Sequence, residues 1–115
     1  MTTKRLFFAL DLKDDERLIA EYEHYHKSNV IWPEIVAGIK ECNILEMDIY
    51  RVGNRLLMVL ETNEDFDLTR DFARMGTLPR QKEWAELMLK FQQRLPFAKE
   101  DEHWVLMKQI FFLNA

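Results

Sequence analysis

The chain has 115 residues, enough for one hydrophobic core and too few for two, so residues 1–115 are expected to form a single domain. Hydrophobic residues make up 48% of the chain and charged residues 31%, which is the balance of an ordinary folded protein. A formal net charge of −4, without any basic cluster, argues against nucleic acid and anionic membranes as partners.

The amino-terminal apolar run begins at Leu6, and Asp11 interrupts it after five residues. That run is too short for a secretory signal or a membrane span. The single cysteine, Cys42, has no partner for an internal disulfide and is expected to be a small buried or half-buried residue. We therefore expect a cytoplasmic protein.

The first predicted element is a strand over residues 5–13, in which apolar side chains recur at every second position. One face carries only apolar residues, namely Leu6, Phe8, Leu10 and Leu12. The opposite face is only partly polar because it contains Phe7 and Ala9, so it is a candidate for a second covered surface.

Two helices are predicted next. Asp14 or Asp15 can cap the first, because a carboxylate there accepts hydrogen bonds from free backbone N–H groups, and this helix should run to about Lys27. Pro33 suits the first turn of the second helix, where its missing N–H would have no partner anyway. That helix should end near Cys42.

Residues 44–52 and 55–62 predict a β-hairpin around the turn pair Gly53-Asn54. The second of these strands is apolar on both faces, which indicates that both faces are covered. A helix is predicted over residues 64–75 and a strand over residues 104–113. Between them lies another helix, ended by Pro96, whose apolar stripe contains Trp84, Leu87, Met88, Phe91 and Leu95.

This order of elements predicts an α+β fold, a ferredoxin-like antiparallel sheet with helices on one face. The helices of so short a chain cannot cover both faces of the sheet. Phe7, Leu57 and Val59 then need protection on the other face, and a second copy of the same sheet is the simplest candidate. We predict a homodimer that packs sheet against sheet.

His26 is the strongest candidate for chemistry, since an imidazole can accept and return a proton near pH 7. Tyr22 lies one helical turn earlier on the same face and can bind a substrate hydroxyl or orient the imidazole. The alternative is that both are amphipathic residues at a helix–sheet boundary, and spacing alone favours that alternative.

No metal or cofactor site is expected. His24 and His26 are two residues apart and would point in nearly opposite directions on a helix, so they cannot hold one ion together. His103 lies in an acidic loop, where we expect it to be solvated. The chain has no Gly-rich phosphate loop, nucleophile elbow or dinucleotide fingerprint.

The three tryptophans, Trp32, Trp84 and Trp104, are candidates for contact with a sugar, because indole faces stack on the C–H side of sugar rings. The alternative is a purely structural role. Trp84 fits the apolar stripe of its helix, and Trp104 begins a strand that we expect to be buried.

Landmarks along nearly the whole chain resemble the rhamnose mutarotase family. They are the first strand, Tyr22-x-x-x-His26, Ile31-Trp32-Pro33-Glu34, Ile49-Tyr50, Asn54-Arg55-Leu56-Leu57, Trp84 with Met88, and Phe111-Phe112-Leu113. The resemblance implies a homodimeric α/β barrel that interconverts the α and β anomers of a deoxy sugar without a cofactor. It implies that His26 is the proton donor and that Tyr22 and Trp84 bind the monosaccharide. Trp32 and Tyr50 are further candidates for substrate binding.

Departures from the family pattern bear on the substrate. Rhamnose-type members have two adjacent tryptophans where this chain has Trp84-Ala85, and a sugar-binding tyrosine where it has Met47. There are also extra residues between His26 and Trp32. The chain is more similar to the fucose-type branch, so we expect L-fucose as substrate and L-rhamnose next. A dimeric α/β-barrel monooxygenase and a non-catalytic sugar-binding module stay open as alternatives.

Overall fold

The computed structural model describes residues 2–114 and contains one five-stranded antiparallel sheet with four helices. The elements are β1 (Thr3–Leu12), α1 (Glu16–Tyr25), α2 (Pro33–Glu41), β2 (Ile44–Val52), β3 (Arg55–Asn63), α3 (Leu68–Met75), α4 (Gln81–Leu89), β4 (Gln92–Gln93) and β5 (Val105–Leu106). The strand order is β2-β3-β1, and β4 and β5 both pair with the other edge of β1. The predicted α+β, ferredoxin-like arrangement is confirmed.

The sheet has one covered face and one open face. In the β1–β3 ladder Phe8 pairs with Met58, and both side chains are buried on the covered face. Phe7 pairs with Val59 on the open face, where both side chains keep partial exposure. Two buried clusters lie on the covered face, one of Phe8, Ile44, Met58, Leu60 and Phe66, the other of Leu12, Tyr22, Leu56, Met88 and Phe91.

The first half of the chain follows its local signals closely. Asp15 caps α1, and its carboxylate accepts from the backbone N–H groups of Arg17 and Leu18 at 2.9 and 3.1 Å. Pro33 is the first residue of α2, as predicted. Cys42 is fully buried just after α2. The hairpin closes at Gly53, whose φ of +59° lies in the left-handed region that glycine adopts without steric cost.

The helix predicted from residue 64 begins later, at Leu68. Asp67 accepts from the backbone N–H of Arg70 at 2.8 Å, and the carboxylate of Asp71 accepts from the backbone N–H of Asp67 at 2.8 Å. This reciprocal capping sets the helix start, because it satisfies N–H groups that a helix leaves unpaired. Phe66 is buried, but it precedes the helix.

The helix predicted to continue to Pro96 ends at Leu89. Phe91 and Leu95 are buried, so their apolar periodicity was informative about the core but misleading about the helix. The chain leaves the helix because Gln92 pairs with Leu12 on the exposed edge of β1. Backbone pairing with that edge therefore overrides the helical pattern.

The strand predicted over residues 104–113 is wrong for most of its length. Only Val105–Leu106 pairs with β1, and the backbone N–H of Met107 donates to the carbonyl of Phe7 at 2.7 Å. The following apolar residues have no regular structure and are strongly exposed, with Ile110 at 89%, Phe111 at 73%, Phe112 at 61% and Leu113 at 79%. A strand that is apolar on both faces needs cover on both sides, and within residues 2–114 the side chains at 110–113 stay largely uncovered.

Among residues 2–114, no helix combines the length and the apolar character that crossing a membrane requires.

Helices α2 and α4 are joined through the buried side chain of Gln81. Its amide nitrogen donates to the carbonyl of Ile35 at 3.3 Å and to that of Glu34 at 3.5 Å. Gly38 makes this possible, because a Cβ at that position would collide with the Gln81 amide. The close approach therefore explains a glycine in the interior of a helix, where alanine is normally better by about 1 kcal/mol.

We predict that Gly38→Ala lowers the free energy of unfolding by about 1 kcal/mol, because it displaces the Gln81 amide and leaves buried polar groups unpaired. In a Gln81→Ala background the same substitution should stabilise the protein by roughly 0.5–1 kcal/mol, the ordinary helix preference for alanine. Urea unfolding of the four proteins measures this double-mutant cycle. Equal effects in both backgrounds would contradict the packing explanation.

Candidate active site

His26 lies at the end of α1, where the helix leaves carbonyl groups unpaired. Its backbone N–H donates to the carbonyl of Glu23 at 3.1 Å, and its ring Nδ1 lies 2.7 Å from the carbonyl oxygen of Tyr22. A carbonyl oxygen only accepts, so Nδ1 carries the proton in this hydrogen bond. In the neutral ring, Nε2 therefore has the free lone pair that a base needs.

The rings around His26 form one continuous aromatic cluster. The ring centroid of Tyr22 lies 4.3 Å from that of His26, and the ring centroid of Trp84 lies 5.5 Å from that of His26. Trp32 continues the cluster with its ring centroid 5.1 Å from that of Trp84. Four of the five predicted site residues are therefore brought together from the end of α1, the start of α2 and α4.

Burial changes the acid–base properties of two of these groups in opposite directions. It lowers the pKa of His26 below the ordinary value of 6.5, and the hydrogen bond to the Tyr22 carbonyl opposes this only in part. Burial raises the pKa of the Tyr22 phenol, with a smaller opposing effect of its hydrogen bond to Gln92. Near neutral pH the cluster therefore holds a neutral proton acceptor beside a protonated donor.

Trp32 is fixed by a charged neighbour. The guanidinium carbon of Arg80 lies 3.9 Å from the centre of the Trp32 ring, a cation–π contact. Arg80 also makes an ion pair with Glu83 at 3.0 Å and approaches Glu34 at 3.8 Å. Its backbone φ of 62° places it in the left-handed region at the start of α4. Arg80 thus links the start of α4 to the residues that open α2.

Two residues near Tyr22 were missed or misjudged at the level of sequence. Gln92 donates from its amide nitrogen to the Tyr22 hydroxyl at 3.5 Å, and its Oε1 lies 2.6 Å from Nε2 of His103. The expectation that His103 is solvated is wrong, because the ring is half-buried against Gln92. The signal for Gln92 was hidden, since the helical pattern continued through this position.

Tyr50 does not join the aromatic cluster. It pairs with Leu57 on the open face of the sheet and is 59% exposed. It borders a depression of about 460 Å³ on that face, which Phe7, Asp48 and Val59 also line. Trp104 packs against both buried clusters on the covered face, which agrees with the alternative that this tryptophan has a purely structural role.

Comparisons with known proteins point to one family. The family model described as L-rhamnose mutarotase matches residues 5–113. An L-fucose mutarotase from Xanthomonas campestris pv. campestris is 40% identical over 99% of this chain and 91% of its own length. A UPF0734 protein from Dictyostelium discoideum is 37% identical over 92% of this chain and 86% of its own.

A solved structure shares the fold. The crystal structure of an L-rhamnose mutarotase from Formosa agariphila superposes with a TM-score of 0.68 at 19% sequence identity. The match covers 96% of this chain and 98% of that one. At this identity the likeness supports the α+β architecture, not a shared substrate.

We predict that His26 titrates below pH 6.5 in the folded protein, because burial disfavours its charged form. The unfolded chain then binds the proton more readily, so the free energy of unfolding should fall as the pH decreases below 6.5. NMR titration of the His26 Cε1–H signal, with the urea-unfolded chain as control, measures the shift. His26→Gln should remove this share of the pH dependence, and a midpoint above 6.5 would contradict the dominance of burial.

Proposed function

The chain belongs to the L-rhamnose mutarotase family and is therefore a sugar mutarotase, an isomerase, and we propose that its substrate is L-fucose and that His26 transfers the protons. The observation that carries the proposal is the aromatic cluster of Tyr22, His26, Trp32 and Trp84, which combines a neutral imidazole with flat apolar faces suited to a sugar ring.

Mutarotation requires that one C–O bond opens and closes again. The anomeric hydroxyl loses its proton, C1 becomes a carbonyl, and the bond from C1 to the ring oxygen breaks as that oxygen gains a proton. Rotation about C1–C2 followed by the reverse steps gives the other anomer, so no proton or electron is consumed. Two positioned proton-transfer events are sufficient for this chemistry.

His26 suits the first event because its Nε2 has the lone pair while Nδ1 is held by the Tyr22 carbonyl. The proton taken from the anomeric hydroxyl then resides on Nε2 and passes to the ring oxygen as its bond to C1 breaks, and ring closure returns it along the reverse path. The Tyr22 phenol is protonated at neutral pH, and burial raises its pKa further, so it can donate a hydrogen bond to a sugar oxygen. Positioned acid–base groups of this kind contribute roughly 10²–10⁴ in rate.

The choice of L-fucose over L-rhamnose rests on two positions and one relative. Met47 pairs with Leu60 on the covered face of the sheet, and Ala85 follows Trp84 on α4. An aliphatic side chain and a methyl group thus stand where rhamnose-type members have a phenol and a second indole. The relative that is 40% identical is an L-fucose mutarotase.

We also propose that the protein is a homodimer in which the open faces of two sheets meet. Phe7, Leu57 and Val59 leave apolar surface partly exposed in the middle of that face. The apolar residues 110–113 are exposed as well. Apolar surface of this kind on a single chain marks an interaction site, and a second copy with the same face satisfies it by symmetry.

We predict that His26→Ala lowers the rate of anomer exchange by roughly 10² or more, because it removes the base while the aromatic cluster remains. Magnetisation-transfer NMR on the anomeric protons of L-fucose and L-rhamnose measures the rate, and L-fucose should exchange faster. His24→Ala on the exposed side of the same helix is the matched control and should keep its activity. Full activity of folded His26→Ala would overturn the assignment.

We predict that light scattering gives a mass about twice the 13.9 kDa of one chain. Val59→Lys places a charge in the middle of the open face and should shift the protein to monomers. Thr69→Lys, which adds the same charge on exposed α3, should leave the mass unchanged. A wild-type monomer at the same concentration would refute the dimer.

A further inference from the structure

We propose that Gln92 and His103 are positioning residues that fix the direction of the Tyr22 hydroxyl, so that its proton points to the substrate and not into the protein. The inference rests on the proposed mutarotase function and assigns a role to two residues outside the aromatic cluster. It follows from a chain of hydrogen bonds that leads from His103 through Gln92 to Tyr22.

The backbone holds Gln92 in place. It pairs with Leu12 of β1, so its side chain shares the covered face of the sheet with Leu12 and reaches the buried Tyr22. The N–H of Lys13 donates to the carbonyl of Phe91 at 2.8 Å, which extends the same pairing by one residue. The two-residue strand β4 therefore places the amide of Gln92 beside Tyr22 of α1.

His103 is also held, although it lies in a loop. The guanidinium of Arg94 donates to the carbonyls of Lys99 and Glu102, the latter at 2.8 Å, and so ties the loop to itself. The next residue, Trp104, packs into both buried clusters. The ring of His103 is thereby kept 2.6 Å from Oε1 of Gln92.

The Gln92 amide sets the direction of the hydrogen bonds between His103 and Tyr22, because one end of it only accepts and the other only donates. Oε1 of Gln92 can only accept, so Nε2 of His103 must carry the proton that joins them. The other end of the amide can only donate, so the Tyr22 oxygen accepts at 3.5 Å. The single proton of the phenol is then not used in this chain and is free to bind a sugar oxygen beside His26.

If the hydrogen bonds between His103 and Tyr22 ran in the opposite direction, the phenol proton would no longer be available to the sugar. If the Gln92 amide were turned over, its oxygen would face Tyr22, and the phenol would donate into the protein. That arrangement requires a His103 ring whose Nε2 accepts a hydrogen bond, which means the other tautomer. The tautomer of a histidine outside the cluster thus determines whether Tyr22 presents a donor or a lone pair.

Two substitutions at one position test the direction. Gln92→Glu keeps the shape and the bond to His103 but offers only acceptor oxygens, so Tyr22 must turn its proton away from the sugar. We expect kcat for anomer exchange to fall about tenfold or more while KM changes less. Gln92→Met, which fills the space without hydrogen bonding, should lose less than Gln92→Glu. Gln93→Glu adds the same charge at the exposed neighbouring position and should stay active.

Gln92→Glu as active as the wild type, or more active than Gln92→Met, would overturn the proposal. A readout that does not depend on activity comes from ¹⁵N NMR of the wild-type histidine rings. We expect neutral His103 to carry its proton on Nε2, and a proton on Nδ1 would refute the chain directly. If the wild type accelerates no sugar, the mutarotase proposal fails, while this tautomer still decides the hydrogen-bond chain.

Discussion

The backbone ladder between β1 and β3 is the constraint on which the rest of the structure depends. Its register from Thr3–Asn63 to Asp11–Arg55 puts one set of alternating side chains under the helices and the other set on the open face. A slip of one residue would exchange the two faces and abolish the core. The same strand β1 also offers its second edge to β4 and β5, and this is what brings Gln92 beneath Tyr22. The position of Gln92 below the site is therefore a consequence of pairing along a single strand.

The unpaired carbonyl groups at the end of α1 determine the tautomer of His26. A helix must leave carbonyl groups unpaired at its last turn, and the ring of His26 satisfies one of them, that of Tyr22. This bond selects the tautomer, and burial keeps the ring neutral by lowering its pKa. The same burial keeps the Tyr22 phenol protonated. One apolar environment thus produces an acceptor and a donor side by side, because it disfavours the charged form of each group.

Much of this could be predicted from the sequence wherever local signals and tertiary structure agree. Asp15, Pro33 and Gly53 each mark an element boundary by their own chemistry; Pro33 and Gly53 were predicted at these positions, and Asp15 was one of two predicted caps. The end of α4 could not be predicted from the sequence. Phe91 continues the apolar stripe of the helix, although the backbone has already left the helix to pair with β1. The clustering of Tyr22, His26, Trp32 and Trp84 agrees with the family resemblance. Gln92 carries no such signal, because a glutamine after an apolar stripe is ordinarily a solvated residue.

The proposed site takes its acid–base groups and its indoles from different elements of the fold. The proposed acid–base pair, Tyr22 and His26, lies at the end of α1, and its hydrogen bonds lead to the backbone of that helix and to β4. The indoles come from other elements. Trp32 lies at the start of α2 and is held by Arg80, and Trp84 lies on α4. In the proposed site, a change on α4, such as alanine beside Trp84, is expected to alter the indole wall while the hydrogen bond that sets the His26 tautomer stays in place. Under the proposed assignment, the indoles can change while the acid–base pair keeps its hydrogen bonds, so one fold can serve different substrates.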